Sequence, residues 1–242
     1  MSYKKHFLSI ALSAALVTSC FTTAFAAEST FTDVDPQNSE AIVYMTENKF
    51  ISGIDETKFG VDIPVSRAEA VAVLHRMSGL AEAVSEVSFS DVTEGSDYAK
   101  AVEWASANGI VSGYSDGTFA PDETITKQDL VSLLYRYAVA DDAYVTVGNS
   151  SALGKFTDAD KAADYASEAL IWAADREILT STDGKLNPEK LVTRSELAVL
   201  DYNYIKTLPV TKTVSVASTL RSEAQIPAYV TVPVDYNAEN KY

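Results

Sequence analysis

One four-residue element occurs three times in this chain, as Ser66-Arg67-Ala68-Glu69, Thr126-Lys127-Gln128-Asp129 and Thr193-Arg194-Ser195-Glu196. An apolar residue precedes each copy (Val65, Ile125, Val192), and each basic residue lies eight positions after Phe59, Phe119 or Leu186. Agreement at this spacing marks a repeated structural unit, and that periodicity constrains the fold more than any single residue does.

The units run from Phe31 to Leu80, Phe89 to Ala140 and Phe156 to Lys206. Each opens with an aromatic two residues before an aspartate: Phe31-Thr32-Asp33, Phe89-Ser90-Asp91 and Phe156-Thr157-Asp158. That pattern suits a buried plug followed by a turn or a capping carboxylate. A first helix follows, with Ile42, Tyr44 and Met45 in repeat one, Val102, Trp104 and Ala105 in repeat two, and Leu170, Trp172 and Ala173 in repeat three. Its apolar residues exceed one narrow stripe, so the three first helices are expected to be well buried and to share a central bundle. The aromatics among them read as core rather than as sugar platforms. A loop then carries Gly53 and Gly113, which suit a left-handed or tight backbone, with Ser181 in repeat three. Repeat two reads Gly113-Tyr114-Ser115-Asp116-Gly117-Thr118-Phe119-Ala120-Pro121, turn formers around one buried aromatic. Asp116-Gly117 lacks the alternating carboxylates and closing glutamate of a calcium loop.

The second helix starts at Ser66, Thr126 or Thr193. A hydroxyl with an acid three residues later forms a capping box, which accounts for both residues without a ligand. Arg67, Lys127 and Arg194 are not explained this way. They fall at the first helical position, where the helix dipole disfavours a cation by a few tenths to about 1 kcal/mol. Three such choices require a counter-charge, either a carboxylate on a neighbouring loop or an anionic ligand held together with exposed backbone N–H groups.

At the start of the chain, Lys4 and Lys5 precede an apolar stretch from Phe7 to Val17, and Ala24-Phe25-Ala26 supplies small residues for cleavage, so residues 1–26 read as a secretory signal peptide. Val17-Thr18-Ser19-Cys20 offers the alternative of a lipid anchor at Cys20. No later segment is long and apolar enough to cross a bilayer. Cys20 is the only cysteine, so the mature chain has no disulfide. Against 34 acidic residues stand 19 basic ones, and loss of Lys4 and Lys5 takes the formal charge from -15 to -17. Such a surface disfavours nucleic acid and anionic lipid as partners, and an anionic ligand must be met by a few placed cations. His75 stands alone in the mature chain, which argues against a metal site, a cofactor or a histidine-dependent triad, and no carboxylate spacing supports a glycosidase pair. Asp141-Asp142 reads as solvated linker. Residues 207–242 alternate in strand fashion but contain Pro227 and Pro233, and are expected to form an extended tail that can add an edge strand to something else.

Three tandem units with an F-x-D-V-like opening, an apolar helix, a G-Y-x-D-G-T-F-x-P loop and an I-T-R-A-E-like helix start resemble the S-layer homology domains of bacterial cell-surface proteins. The resemblance covers about residues 31–206. It implies a mainly α fold, in which the three repeats form a pseudo-threefold spindle around a central three-helix bundle of first helices, with grooves between adjacent repeats. It also implies that these grooves bind a secondary cell-wall polysaccharide, commonly through a pyruvylated amino sugar, and so hold the protein on the wall. The ligand-binding positions implied are Arg67, Lys127 and Arg194 with the preceding Ser66, Thr126 and Thr193; no catalytic, cofactor or metal residue is implied.

The expected function is therefore a non-enzymatic anchor on the bacterial wall or surface layer. The alternatives are a structural surface protein that assembles with itself or with other surface proteins, its basic residues serving only in salt bridges, and an enzyme acting on wall polymer. Arginine grips a carboxylate through two parallel bonds and lysine through a point charge, and repeat three has lost the loop's glycine and aromatics. The expected order of contribution to polymer affinity is Arg67, then Lys127, then Arg194.

Overall fold

The computed structural model describes residues 29–83, 88–141, 145, 146, 148–181 and 183–208, together with the backbone of strands at 211–216 and 228–233. The signal segment and Cys20 lie outside the described residues. The fold is mainly α, with two helices per repeat: α1 (Pro36–Glu47) and α2 (Arg67–Met77), α3 (Ala99–Ala107) and α4 (Lys127–Ala140), α5 (Ser167–Asp175) and α6 (Arg194–Thr207). Short 3-10 turns at Ser150–Lys155, Ala159–Lys161 and Asp164–Ala166 lead into α5. Beyond α6, β1 (Thr211–Val216) and β2 (Ala228–Pro233) pair antiparallel, with Val214 opposite Val230.

Each repeat is closed by its opening aspartate. Asp33 accepts the Phe59 and Gly60 N–H groups at 2.8 and 2.7 Å. Asp91 accepts those of Phe119 and Ala120, both at 2.7 Å, and Asp158 those of Leu186 and Asn187 at 2.6 and 3.0 Å. The aromatic plug beside it packs on the loop, Phe31 on Phe59 and Phe89 on Phe119 with ring centroids 5.8 and 5.6 Å apart. The plug also explains the loop glycines, by space rather than by a left-handed backbone. A Cβ on Gly53 would lie 2.5 Å from Phe31 Cε1, and one on Gly113 would lie 2.2 Å from Phe89 Cε1. Asp116 accepts the Thr118 N–H and hydroxyl, an Asx turn inside its own loop, and Asp183 keeps an equivalent turn with Lys185.

The first helices do not form the centre. Instead α1 packs on α6, α3 on α2 and α5 on α4, so each first helix lies against the second helix of the preceding repeat, and repeat one closes on repeat three. The inner positions belong to the second helices, where Val71, Val73, Leu74, Leu130, Val131, Leu134 and Leu197 are inaccessible to solvent. Both helix types carry apolar residues, and it is the contacts between repeats that enclose the second helices, while α1, α3 and α5 leave Glu40, Lys100 and Glu168 exposed. Trp104 and Trp172 are buried as core, and each stacks on the second helix it meets: His75 on Trp104 at 5.0 Å, Tyr135 on Trp172 at 5.4 Å, with Tyr202 on Tyr44 at 5.1 Å completing the set.

At one end of the second helices the three apolar residues before the caps join in a ring of backbone bonds. Val65 N–H donates to Val192 O at 2.9 Å, Val192 N–H to Ile125 O at 3.0 Å and Ile125 N–H to Val65 O at 3.0 Å. Each is a minimal strand contact that pairs buried amides with no sheet to join. Deeper in, the position eight residues after each cap holds Leu74, Leu134 and Asp201, and the position eleven after holds Met77, Tyr137 and Tyr204, all essentially without solvent exposure.

Candidate functional site

The three helix starts lie where consecutive repeats meet, and their backbone is already occupied. Arg67 and Ala68 donate their N–H groups to Glu123 O and Pro121 O at 2.8 and 3.0 Å; Lys127 and Gln128 donate to Lys190 O and Pro188 O, both at 2.9 Å; Arg194 and Ser195 donate to Ile63 O and Val61 O at 2.9 and 3.2 Å. Each repeat thus caps its helix with the loop of the next one. These bonds satisfy the unpaired donors of the first turn, so the expectation of exposed N–H groups awaiting an anion is corrected. What remains for a ligand is side-chain chemistry.

The caps also differ from expectation. Ser66, Thr126 and Thr193 each accept the N–H of the acid three residues on, but the full reciprocal box forms only at Thr193, where Glu196 reaches back to the Thr193 N–H at 3.1 Å. At Thr126 the acid is Asp129, one methylene too short. Its carboxylate takes the Thr126 hydroxyl and the Tyr165 hydroxyl instead, both at 2.5 Å. In repeat one the Glu69 carboxylate is drawn away to Arg194.

The basic residues therefore have three different environments. Arg194 is buried. Its Nε donates to Phe59 O at 3.1 Å, its Nη1 pairs with Glu69, its Nη2 donates to Ser52 O, and its guanidinium lies 5.0 Å from the Phe59 ring centre. Its counter-charge is the cap acid of the next helix, not a loop carboxylate. Arg67 repeats half of this scheme, with Nε on Phe119 O at 3.1 Å and the guanidinium 4.9 Å from the Phe119 ring and 5.3 Å from that of Tyr114. Tyr114 in turn donates its hydroxyl to Glu123 at 2.7 Å. At the position equivalent to Phe59 and Phe119 repeat three has Leu186, so no aromatic ring is available to Lys127 there, and the Lys127 ammonium makes no hydrogen bond among the described residues.

The surrounding grooves differ in the same way. Arg194 borders a cavity of about 230 Å³ with Ser52, Ser66, Arg76 and the acids Glu69, Asp97 and Asp122. Lys127 borders one of about 320 Å³ with Lys185, Lys190, Asn187, Asn38 and Ser195. Glu196 and Asp183 also line this second cavity, yet Glu196 is engaged by Lys190 at 2.8 Å and by the Thr193 cap, and Asp183 by Ser181 and Lys185. Burial lowers the Lys127 pKa from the ordinary lysine value; Glu196 draws it back up, Lys190 pushes it down, and Asp158 and Asp183 draw it up. Ser66 borders the Arg194 cavity. Thr126 and Thr193 cap their helices. Among the described residues no group of three or more His, Cys, Asp or Glu is placed to hold a metal ion, and no helix is long and apolar enough to cross a membrane.

Sequence reasoning located the basic positions and their hydroxyls but missed Lys185 and Lys190. Both sit in the loop of the following repeat, and no motif within one repeat joins them to Lys127.

Known proteins share this pattern. The chain is 28% identical over 202 residues to the surface-layer 125 kDa protein of Lysinibacillus sphaericus, a match covering 81% of this chain and 16% of that protein. It is 27% identical over 182 residues to the exoglucanase XynX of Acetivibrio thermocellus, covering 73% of this chain and 16% of the enzyme. The cellulosome-anchoring protein of Acetivibrio thermocellus is 27% identical over 92 residues, 36% of this chain and 21% of its own length. The chain spans about a fifth or less of these relatives. The S-layer homology domain model matches residues 30–71, 88–131 and 155–198, more than half of the sequence and at the three places where the repeats close on one another; the chain belongs to the S-layer homology domain family.

Proposed function

We propose that this chain is a non-catalytic cell-surface anchor that binds an anionic secondary cell-wall polysaccharide, with the groove at Lys127 as its principal site. The observation that carries the reading is the contrast among three equivalent positions. Arg194 is fully engaged by protein, Arg67 partly so, while Lys127 faces a cavity of about 320 Å³ with two further lysines and has no hydrogen-bond partner among the described residues. Three lysines against Asp183 and Glu196 leave this groove net positive in an otherwise acidic chain, which favours a local anionic ligand over a general one. On this basis Lys127 moves ahead of Arg67 in the order of contribution, and Arg194 stays last. Names of relatives such as a surface-layer protein and a cellulosome-anchoring protein support attachment at the cell surface.

The test is sedimentation of the protein with native wall sacculi, with sacculi stripped of their secondary polymer, and calorimetry of Lys127→Ala, Arg67→Ala and Arg194→Ala against the released polymer. Binding is expected to native sacculi alone, to weaken with salt, and to suffer most in Lys127→Ala. Equal binding to stripped peptidoglycan overturns the reading. A second reading, a self-assembling surface protein whose basic residues are structural, is favoured by one observation, the Arg194–Glu69 pair. It predicts self-association without sacculi and an Arg194→Ala variant defective in assembly.

A further inference from the structure

We propose that Asp201 is held as a neutral carboxylic acid inside the axial bundle and works as a pH-sensitive element, its proton stabilising the closed three-repeat bundle in acid and that stabilisation being lost as the solution turns alkaline. The inference rests on the fold and is independent of any ligand. In α2 and α4 the equivalent position is Leu74 and Leu134, each with no solvent exposure; Asp201 occupies the same layer with 0% exposure. Neither of its carboxyl oxygens has a hydrogen-bond partner among the described residues, and the same holds for the Tyr204 hydroxyl one turn further on. A buried carboxylate in that condition is disfavoured, and the group meets the cost by keeping its proton.

Among the described residues no charge acts on Asp201 to reverse this. Tyr137 on α4 and Tyr204 on α6 are the ionisable groups that interact with Asp201, and the same burial holds both phenols above their ordinary pKa, so both stay neutral beside it. Asp141 at the end of α4 acts on both tyrosines, and Arg176 at the end of α5 acts on Tyr204, but neither acts on Asp201 itself. From α2, His75 turns to Ala81 O and Trp104; from α1, Tyr44 and Glu40 engage Tyr202. Burial alone holds the Asp201 carboxyl up to about 8.

The direction of the effect follows from linkage. The unfolded chain loses this proton near the ordinary aspartate value of about 4, whereas the folded chain keeps it to about 8. Between those values the folded state binds one proton more. The Asp201 contribution is therefore most favourable at the acid end of the window and declines as pH rises, by about tenfold in the folded-to-unfolded ratio per pH unit. Above the window the loss is complete and constant.

Thermal melts of the full chain at a series of pH values from about 5 to about 9, for wild type, Asp201→Leu and Asp201→Asn, provide the test. Leucine repeats the branching of aspartate and matches the other two repeats, so Asp201→Leu is expected to fold and to melt higher at neutral pH, with the decline in melting temperature largely removed. Asp201→Asn keeps the shape and a polar group but cannot ionise, and is expected to flatten the profile as well. As an independent readout, the carboxyl ¹³C resonance of Asp201 should titrate in the neutral-to-alkaline range. Retention of the wild-type slope by both variants, or titration in the ordinary carboxylate range, overturns the proposal.

Discussion

At Asp91 a single carboxylate accepts the amide hydrogens of two residues on the far side of its repeat, and Asp33 and Asp158 do the same in theirs. For Asp33 and Asp91 burial pushes the carboxyl up and the donated backbone bonds outweigh it; for Asp158 the bond from Leu186 leads. All three end below the ordinary aspartate value. Their contribution to stability is present above the unfolded aspartate pKa and is lost as pH falls through the lower folded values. Urea unfolding should show a fall in stability on the acid side of about pH 4 that Asp91→Asn reduces in size. Asp91→Ala strands the Phe119 and Ala120 donors and should lower stability at neutral pH in the same measurement, by more than Asp91→Asn does. The basic residues separate by a similar test. Lys127→Ala removes a cation from a helix start and should leave stability within about 0.5 kcal/mol of wild type. Arg194→Ala breaks a buried hydrogen-bonded pair and should cost about 2 kcal/mol or more.

Among the helices, the caps show what one methylene does. Glu196 is long enough to return to the Thr193 N–H, whereas Asp129 stops at the hydroxyls of Thr126 and Tyr165. Thr193→Ala should therefore cost toward the upper end, and Ser66→Ala toward the lower end, of the usual range of about 0.5–2 kcal/mol for a lost N-cap, as read from paired thermal melts. The helices and their hydroxyl caps were legible in the sequence, because a cap and its acid lie three residues apart and are written together. So were the buried tryptophans and the aspartate that follows each opening aromatic. The inner position of the second helices was not, since both helix types carry apolar residues and only contacts between repeats decide which is surrounded. The candidate site was half legible: Arg67, Lys127 and Arg194 could be found by repetition, but what each one meets lies in another repeat. Glu69 reaches Arg194 across 125 residues, and Lys185 and Lys190 reach the Lys127 groove from a loop whose spacing matches no motif.

Taken as a whole, the molecule is held together by contacts that run all the way around three repeats. Helix starts, the ring of Val65, Ile125 and Val192, and the packing of α1 on α6 all join repeat three back to repeat one. A fragment of residues 29–141 retains two repeats but leaves Val65 N–H and the Lys127 helix start without their acceptors Val192 O and Lys190 O. That fragment should show no cooperative melt by circular dichroism, whereas residues 29–208 should unfold in one transition. A closed circuit of this kind has no privileged first member. If the chain were opened between repeats one and two and a linker like those between the other repeats joined the end of α6 to the segment before Phe31, the same helices would meet the same loops in the same rotational order. Which repeat is read first from the gene is then a property of the coding order, and the assembled molecule is indifferent to it.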